Sequence, residues 1–254
     1  MLGRASHEIP FRDLRTLLDA MDASAYDFLF MGGDGLLLGS SFRRSSFSEL
    51  VELGIHAVVI GDYPVSRPLV REGLTAEPWL LRPLNLPPGA PGEGSRLFSA
   101  EGSRLALGVV LVNSDRPFDD PFQQVELWLR ALPPEFPAIL ILMGSSIPLK
   151  QAVFWKLGQL SRPVHVLGLG LGVGTSDTGI FSGRAWVGDI GEVCREGGVG
   201  GCKPEVWWAL ERERQVREAV PADGALTADA ISLELDEQGR PRSLKRLRHR
   251  LEIW

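Results

Sequence analysis

The sequence predicts an α/β protein, and three observations carry that prediction. Short apolar runs rich in β-formers recur along the 254 residues. Segments with helical spacing lie between several of them. The last third alternates apolar and polar residues with period two, then turns at Gln238-Gly239. Strands that alternate with helices imply sheets covered by helices.

The elements follow in chain order. A first helix is expected over 11–21, where Leu14, Leu17, Leu18 and Met21 share one face. Strands are expected over 28–31, 57–60, 105–112, 138–143, 164–167 and 185–187. Most are continuously apolar, which suits strands buried on both faces. Further helices are expected over 122–132, 149–160 and 204–220, the last laced with charge on its outer face. The stretch 231–240 reads as one arm of a hairpin with a wet face. Pro87 to Gly94 is too short for a linker and no internal repeat is present, so one domain over 1–254 is expected.

Composition excludes several classes of function. The hydrophobic content of 44% supports a sizeable core. A net charge of −5 with 23% charged residues gives no general basic field, which argues against binding a nucleic-acid duplex. No apolar run reaches the length of a membrane span. Residues 1–11 lack the apolar core of a signal peptide, so the expected location is the cytoplasm. There, the two cysteines, Cys194 and Cys202, are expected to be reduced thiols.

One segment is distinctive: Leu81-Arg-Pro-Leu-Asn-Leu-Pro-Pro-Gly-Ala-Pro-Gly-Glu-Gly94. It resembles a proline-patterned loop of the calcineurin-like metallophosphoesterases, in their bacterial YmdB-like, cyclic-nucleotide phosphodiesterase branch. Other pieces agree in order: Asp120-Pro-Phe122, Thr175-Ser-Asp177, Gly188-Asp-Ile-Gly191 and the ending from Leu235 to Leu247. The resemblance implies an α/β/β/α sandwich of two mixed sheets. It also implies two divalent cations at the carboxyl ends of strands, which activate water and neutralise a phosphate.

Carried over position by position, the family's ligands are mostly missing. The first motif, Gly-Asp, falls on Gly3 or Arg4, and most of the first strand is expected to be absent. The motif Asn-Gly-Glu-Asn corresponds to Gly32-Gly-Asp-Gly35, which keeps a carboxylate at Asp34 and loses an amide at Gly35. The motif Gly-Asn-His corresponds to Gly61-Asp-Tyr63: Asp62 could still ligate, and Tyr63 stands at the general-acid position. The next histidine falls on Gly144, Ser145 or Ser146, with Ser145 at the centre of the loose alignment. The His-x-His pair becomes Gly170 and Gly172. Only Asp34 and Asp62 therefore remain as residual metal ligands, too few for a two-metal centre.

The remaining features have bland and sharp readings. The alternating glycines Gly168, Gly170, Gly172 and Gly174 match no phosphate-loop pattern, so a close-packed strand end is preferred to an anion site. Asp34 and Asp62 are ordinary in glycine-rich turns, and that reading is preferred to metal binding. Asp189 reads as a turn residue. His165 reads as a satisfied histidine within a strand, while His7 could be a rebuilt ligand. His56 and His249 lie away from the ligand positions. Trp128, Trp155, Trp207 and Trp208 read mostly as packing aromatics. Arg242, Lys245, Arg246, Arg248 and Arg250 read as a solvated basic face.

The expected function is that of a degenerate, non-catalytic metallophosphoesterase-fold protein that binds a protein partner or a second copy of itself, with no cofactor. The alternative is a metal-dependent phosphodiesterase on cyclic nucleotides with a single-metal or rebuilt site, using Mn, Fe or Mg.

Overall fold

A computed structural model describes residues 1–6, 9–39, 41–62, 64–100, 102–112, 118–213 and 220–252. The chain runs β1 (Leu2–Ala5), α1 (Phe11–Ala20), β2 (Phe30–Gly32), α2 (Asp34–Leu38), α3 (Arg44–Glu52), β3 (Ala57–Val59), α4 (Pro68–Ala76) and β4 (Leu80–Leu81). It continues through β5 (Ser95–Ala100), β6 (Ser103–Leu111), α5 (Pro121–Ala131), β7 (Ala138–Met143), α6 (Ile147–Leu157) and β8 (Val164–Leu169). The last part holds β9 (Thr178–Phe181), β10 (Arg184–Val187), β11 (Glu192–Arg195), α7 (Pro204–Glu213), β12 (Leu226–Leu235) and β13 (Pro241–Leu251).

Two mixed sheets result. One has seven strands in the order β13-β12-β11-β1-β2-β3-β4, and the other six in the order β5-β6-β7-β8-β10-β9. In each, a block of parallel strands is finished by antiparallel ones. Three apolar layers hold the stack together. Between the sheets, Phe30 and Val59 of one meet Val109, Ile141 and Leu167 of the other. On the outer face of the larger sheet, Leu14 and Leu17 of α1, Leu50 of α3 and Val70 of α4 pack over Met31 and Val58. On the outer face of the smaller sheet, Val125 and Trp128 of α5 and Val153 and Leu157 of α6 cover Leu140 and Val166. The architecture is the expected α/β/β/α sandwich, and the continuous runs β7 and β8 are buried along their whole length.

Three expectations need correction. The first strand is in place. Leu2–Ala5 is short, yet it pairs in parallel with both β2 and β11, so four residues suffice to keep the sheet continuous. The hairpin arm is longer than its alternating stretch: β12 begins at Leu226, because the buried residues Leu226, Ala228 and Ala230 face the core there. Trp155 and Trp208 are 67% and 63% exposed, so only Trp128 of the described tryptophans named above is a buried packing residue. A helix does start at Pro204 as expected and is described to Glu213; residues 214–219 and the side chain of Trp207 lie outside the described part.

The conspicuous proline-patterned loop is held by two polar side chains. Asn85 is buried. Its amide donates to Leu111 O at 2.9 Å and Asp119 O at 3.4 Å, and its carbonyl accepts from Leu111 N at 3.0 Å. Arg82 donates to Pro83 O and Pro91 O at 2.7 and 3.3 Å and so staples the loop across its own mouth. The loop's residue pattern is thus explained by anchoring the end of β6.

Candidate functional site

The carboxyl ends of β2, β3, β7 and β8 meet in one place, where the two sheets face each other. This is where α/β folds put their sites. The approach is close because the residues are small. A Cβ at Gly32 would lie 2.6 Å from Leu169 Cδ2 and 2.9 Å from Arg4 Cα, and one at Gly170 would lie 2.9 Å from Gly144 N.

Asp34 opens α2 directly after β2. Its Oδ1 accepts from Gly61 N at 2.8 Å, which ties the end of β2 to the end of β3. Burial pushes its carboxyl above the usual carboxylate range; the Gly61 amide and the Arg4 charge oppose this, and Asp62 adds to it. Asp62 follows Gly61 and is half-buried. These two carboxylates are therefore neighbours at the ends of β2 and β3.

Of the two first-strand candidates, Arg4 reaches the cleft. A Cβ at Gly172 would lie 3.7 Å from Arg4 Nη2 and 3.6 Å from Glu192 Oε2. Gly3 instead lies against the backbone of Gly191, 2.5 Å from where its Cβ would be. Arg4 and Glu192 are register partners on the parallel strands β1 and β11. Ser6 donates its hydroxyl to Glu192 Oε2, and the Cys194 thiol donates to Oε1 at 3.1 Å. Burial and the same glutamate push the Cys194 thiol up to about 12, so it stays protonated. Arg4 Nε is buried with no hydrogen-bond partner.

The positions carried over as histidines are glycine with left-handed backbone. Gly170 has φ of +118° and Gly172 of +82°. Side chains rarely adopt this conformation, so a histidine at either position would be strained. Gly35 lies within α2. Ser145 is exposed beyond β7, and its neighbour Ser146 caps α6 by accepting from Leu149 N at 3.4 Å. His7 and Tyr63 lie outside the described residues.

Whether metal ions suit this cleft can be judged from its donors. Zinc-like and iron-like centres want imidazole or several carboxylates with open lone pairs. Here Asp34 Oδ1 and both oxygens of Glu192 already accept hydrogen bonds, and a guanidinium stands beside them. Among the described residues no three His, Cys, Asp or Glu side chains group closely enough to hold an ion. The described residues do not fit a dinuclear centre.

Beneath the glycine run lies a second polar cluster, which sequence reasoning missed. Lys150 of α6 and Asp189 are both fully buried and pair at 2.8 Å. Lys150 Nζ also donates to Leu169 O at 3.1 Å and Gly188 O at 3.4 Å. Asp189 accepts from Leu171 N at 2.9 Å and Gly191 N at 3.0 Å. Burial pushes the Lys150 ammonium down, and Asp189 holds it up. With Leu171 N bound to Asp189, that amide does not point at an anion, so the glycine run is a packed strand end fixed from below. The sequence did carry a signal: Lys150 shares the buried stripe of α6 with Val153 and Leu157. Asp177 accepts from the Trp186 indole at 3.2 Å and Gln151 at 3.3 Å, which braces the same loop. His165 is satisfied, with Nε2 2.9 Å from Gly239 O and Nδ1 accepting from Ala185 N at 3.1 Å.

Two facing mixed sheets between helical layers, with a cleft at the carboxyl ends of their strands, define the metallophosphoesterase fold. Within that class, residues 3–247 match the YmdB-like protein family, and the chain belongs to it. A similar protein is the 2',3'-cyclic-nucleotide 2'-phosphodiesterase of Bacillus subtilis (strain 168), 25% identical over 219 residues, spanning 83% of this chain and 80% of that one. A hypothetical protein from Thermus thermophilus has the same fold, with a TM-score of 0.86, 24% identity and coverage of 99% and 98%. So does a phosphatase from Mycoplasma pneumoniae, with a TM-score of 0.83, 18% identity and coverage of 99% and 92%.

Proposed function

We propose that this chain is a non-catalytic member of its family, a binding or regulatory protein that uses the fold without a dinuclear metal centre. The observation that carries this reading is the glycine pair. Gly170 and Gly172 stand where the family resemblance expects two histidines, and their backbone has turned to φ values that favour glycine. The loop is thus built for glycine, rather than merely lacking a side chain. The bound partner is a protein, or a second copy of this chain.

A second reading is favoured by one contact. Asp34 and Asp62 remain adjacent through the Asp34–Gly61 hydrogen bond, and two carboxylates with water could hold one hard cation. Under that reading the chain is a metal-dependent phosphodiesterase on cyclic nucleotides, as the Bacillus relative is named. Hydrolysis of a 2',3'-cyclic nucleotide, measured with and without Mn²⁺, separates the two. No turnover above background in either condition is the expected result. Mn²⁺-dependent turnover that disappears in Asp34→Ala and Asp62→Ala would establish the second reading.

A further inference from the structure

We infer that Arg4 is the resident cation of this cleft. Its guanidinium takes the place of a divalent ion and keeps one out. The inference rests on the non-catalytic reading above and gives it a cause. The geometry has three parts. First, Arg4 bears on two positions that the family resemblance marks as ligands: its Nη2 lies 3.7 Å from a Cβ at Gly172, and its charge acts on Asp34. Second, Glu192 lines the same space by Gly172, so a carboxylate beyond the two residual ligands stands beside Arg4. Third, Arg4 Nε is buried without a hydrogen-bond partner, a group left unpaired inside the fold. Lys150, nearby, has every donor directed to an acceptor.

A guanidinium is charged at every accessible pH. It therefore sets one permanent positive charge beside Asp34 and Glu192 and repels a divalent cation. An aspartate at position 4 would reverse both effects. It would remove the positive charge and add an oxygen donor beside Asp34, and oxygen donors suit Mn²⁺, Mg²⁺ or Ca²⁺. The cleft is in this sense a latent cation site, closed by one residue.

The test is calorimetric titration of Mn²⁺ into metal-free wild type, Arg4→Asp and Arg4→Gln, with circular dichroism to verify folding. The wild type should give no binding heat at sub-millimolar metal. Arg4→Asp should bind one ion at least tenfold more tightly than wild type, and adding Asp34→Asn should abolish the gain. Should Arg4→Asp not fold, Arg4→Gln removes the charge while keeping a polar, unbranched side chain, and it too should bind more tightly than wild type. A folded variant with no gain over wild type overturns the inference alone and leaves the non-catalytic reading standing. Tight Mn²⁺ binding by the wild type, coupled to hydrolysis, overturns both.

Discussion

The cleft around Arg4 and the cluster around Lys150 lie on either side of the same glycine run, and each sets a cation among carboxylates. They differ in how completely the cation is satisfied. Lys150 is fully buried and gives its three donors to Asp189, Leu169 and Gly188, while Asp189 collects two backbone amides in return. Arg4 has a buried Nε with no partner, and its neighbours Asp34 and Glu192 spend lone pairs on other groups. Buried polar groups in folded proteins are normally paired, and the unpaired ones call for an explanation. The paired cluster is structural: it fixes where the loop after β8 lies. The cluster around Arg4, with one buried nitrogen unpaired, sits where the fold places chemistry, as a charge-setting role for Arg4 requires.

The sharpest way to break this comparison is to remove each cation in turn. Lys150→Met strips buried Asp189 of the cation bonded to its carboxylate and leaves only Arg246 near it, which should cost roughly 3 kcal/mol of stability. Arg4→Met removes a side chain whose Nε holds no hydrogen bond, and the loss should be about 1 kcal/mol or less, as for a weakly coupled ion pair. Urea unfolding of both variants measures the difference. Equal losses would mean that Arg4 is as structural as Lys150, and the contrast would fall.

A middle-sized effect is expected at the loop that made the family legible. Asn85→Ala strips partners from both the amide and the carbonyl of Leu111, which are buried at the end of β6. Leaving buried backbone groups unpaired costs about 1–3 kcal/mol. Melting curves should show the loss, while Arg82→Ala, whose carbonyl partners lie in the part-buried mouth of the loop, should lose less.

What could be read from the chain, and what could not, follows from the range of the interactions. Buried parallel strands such as 138–143 announce themselves because both faces are apolar and the signal is local. Short strands do not. Leu2–Ala5 and Leu80–Leu81 are strands only because neighbours pair with them, and nothing within four or two residues encodes that. The same holds in the cleft. Asp34 and Asp62 could be found because they stand within recognisable motifs. Glu192 could not, since it enters the cleft through its register with Arg4, far away along the chain. Lys150 was within reach: a lysine on an otherwise apolar stripe of a helix is either misplaced or paired, and Asp189, beside the glycine run, is the acid it pairs with.

The smallest expected effect sharpens the comparison from the carboxylate side. Burial raises Asp34 above the ordinary carboxylate range despite the Gly61 amide and the Arg4 charge. The folded state therefore holds the Asp34 proton more tightly than the unfolded chain, whose aspartates titrate near about 3.9. It follows that this group favours folding most when protonated, at low pH, and that the advantage is lost as pH rises through the folded value. Asp34→Asn keeps an oxygen to accept from Gly61 N and removes the charge. Its melting temperature should exceed that of wild type at about pH 8 and converge with it near about pH 4. The opposite trend, with Asp34→Asn weaker at neutral pH, would show that the ionised carboxylate is bound to Arg4 firmly enough to outweigh its burial. The guanidinium would then be held by a strong ion pair, and Arg4 would belong with Lys150 among the structural cations.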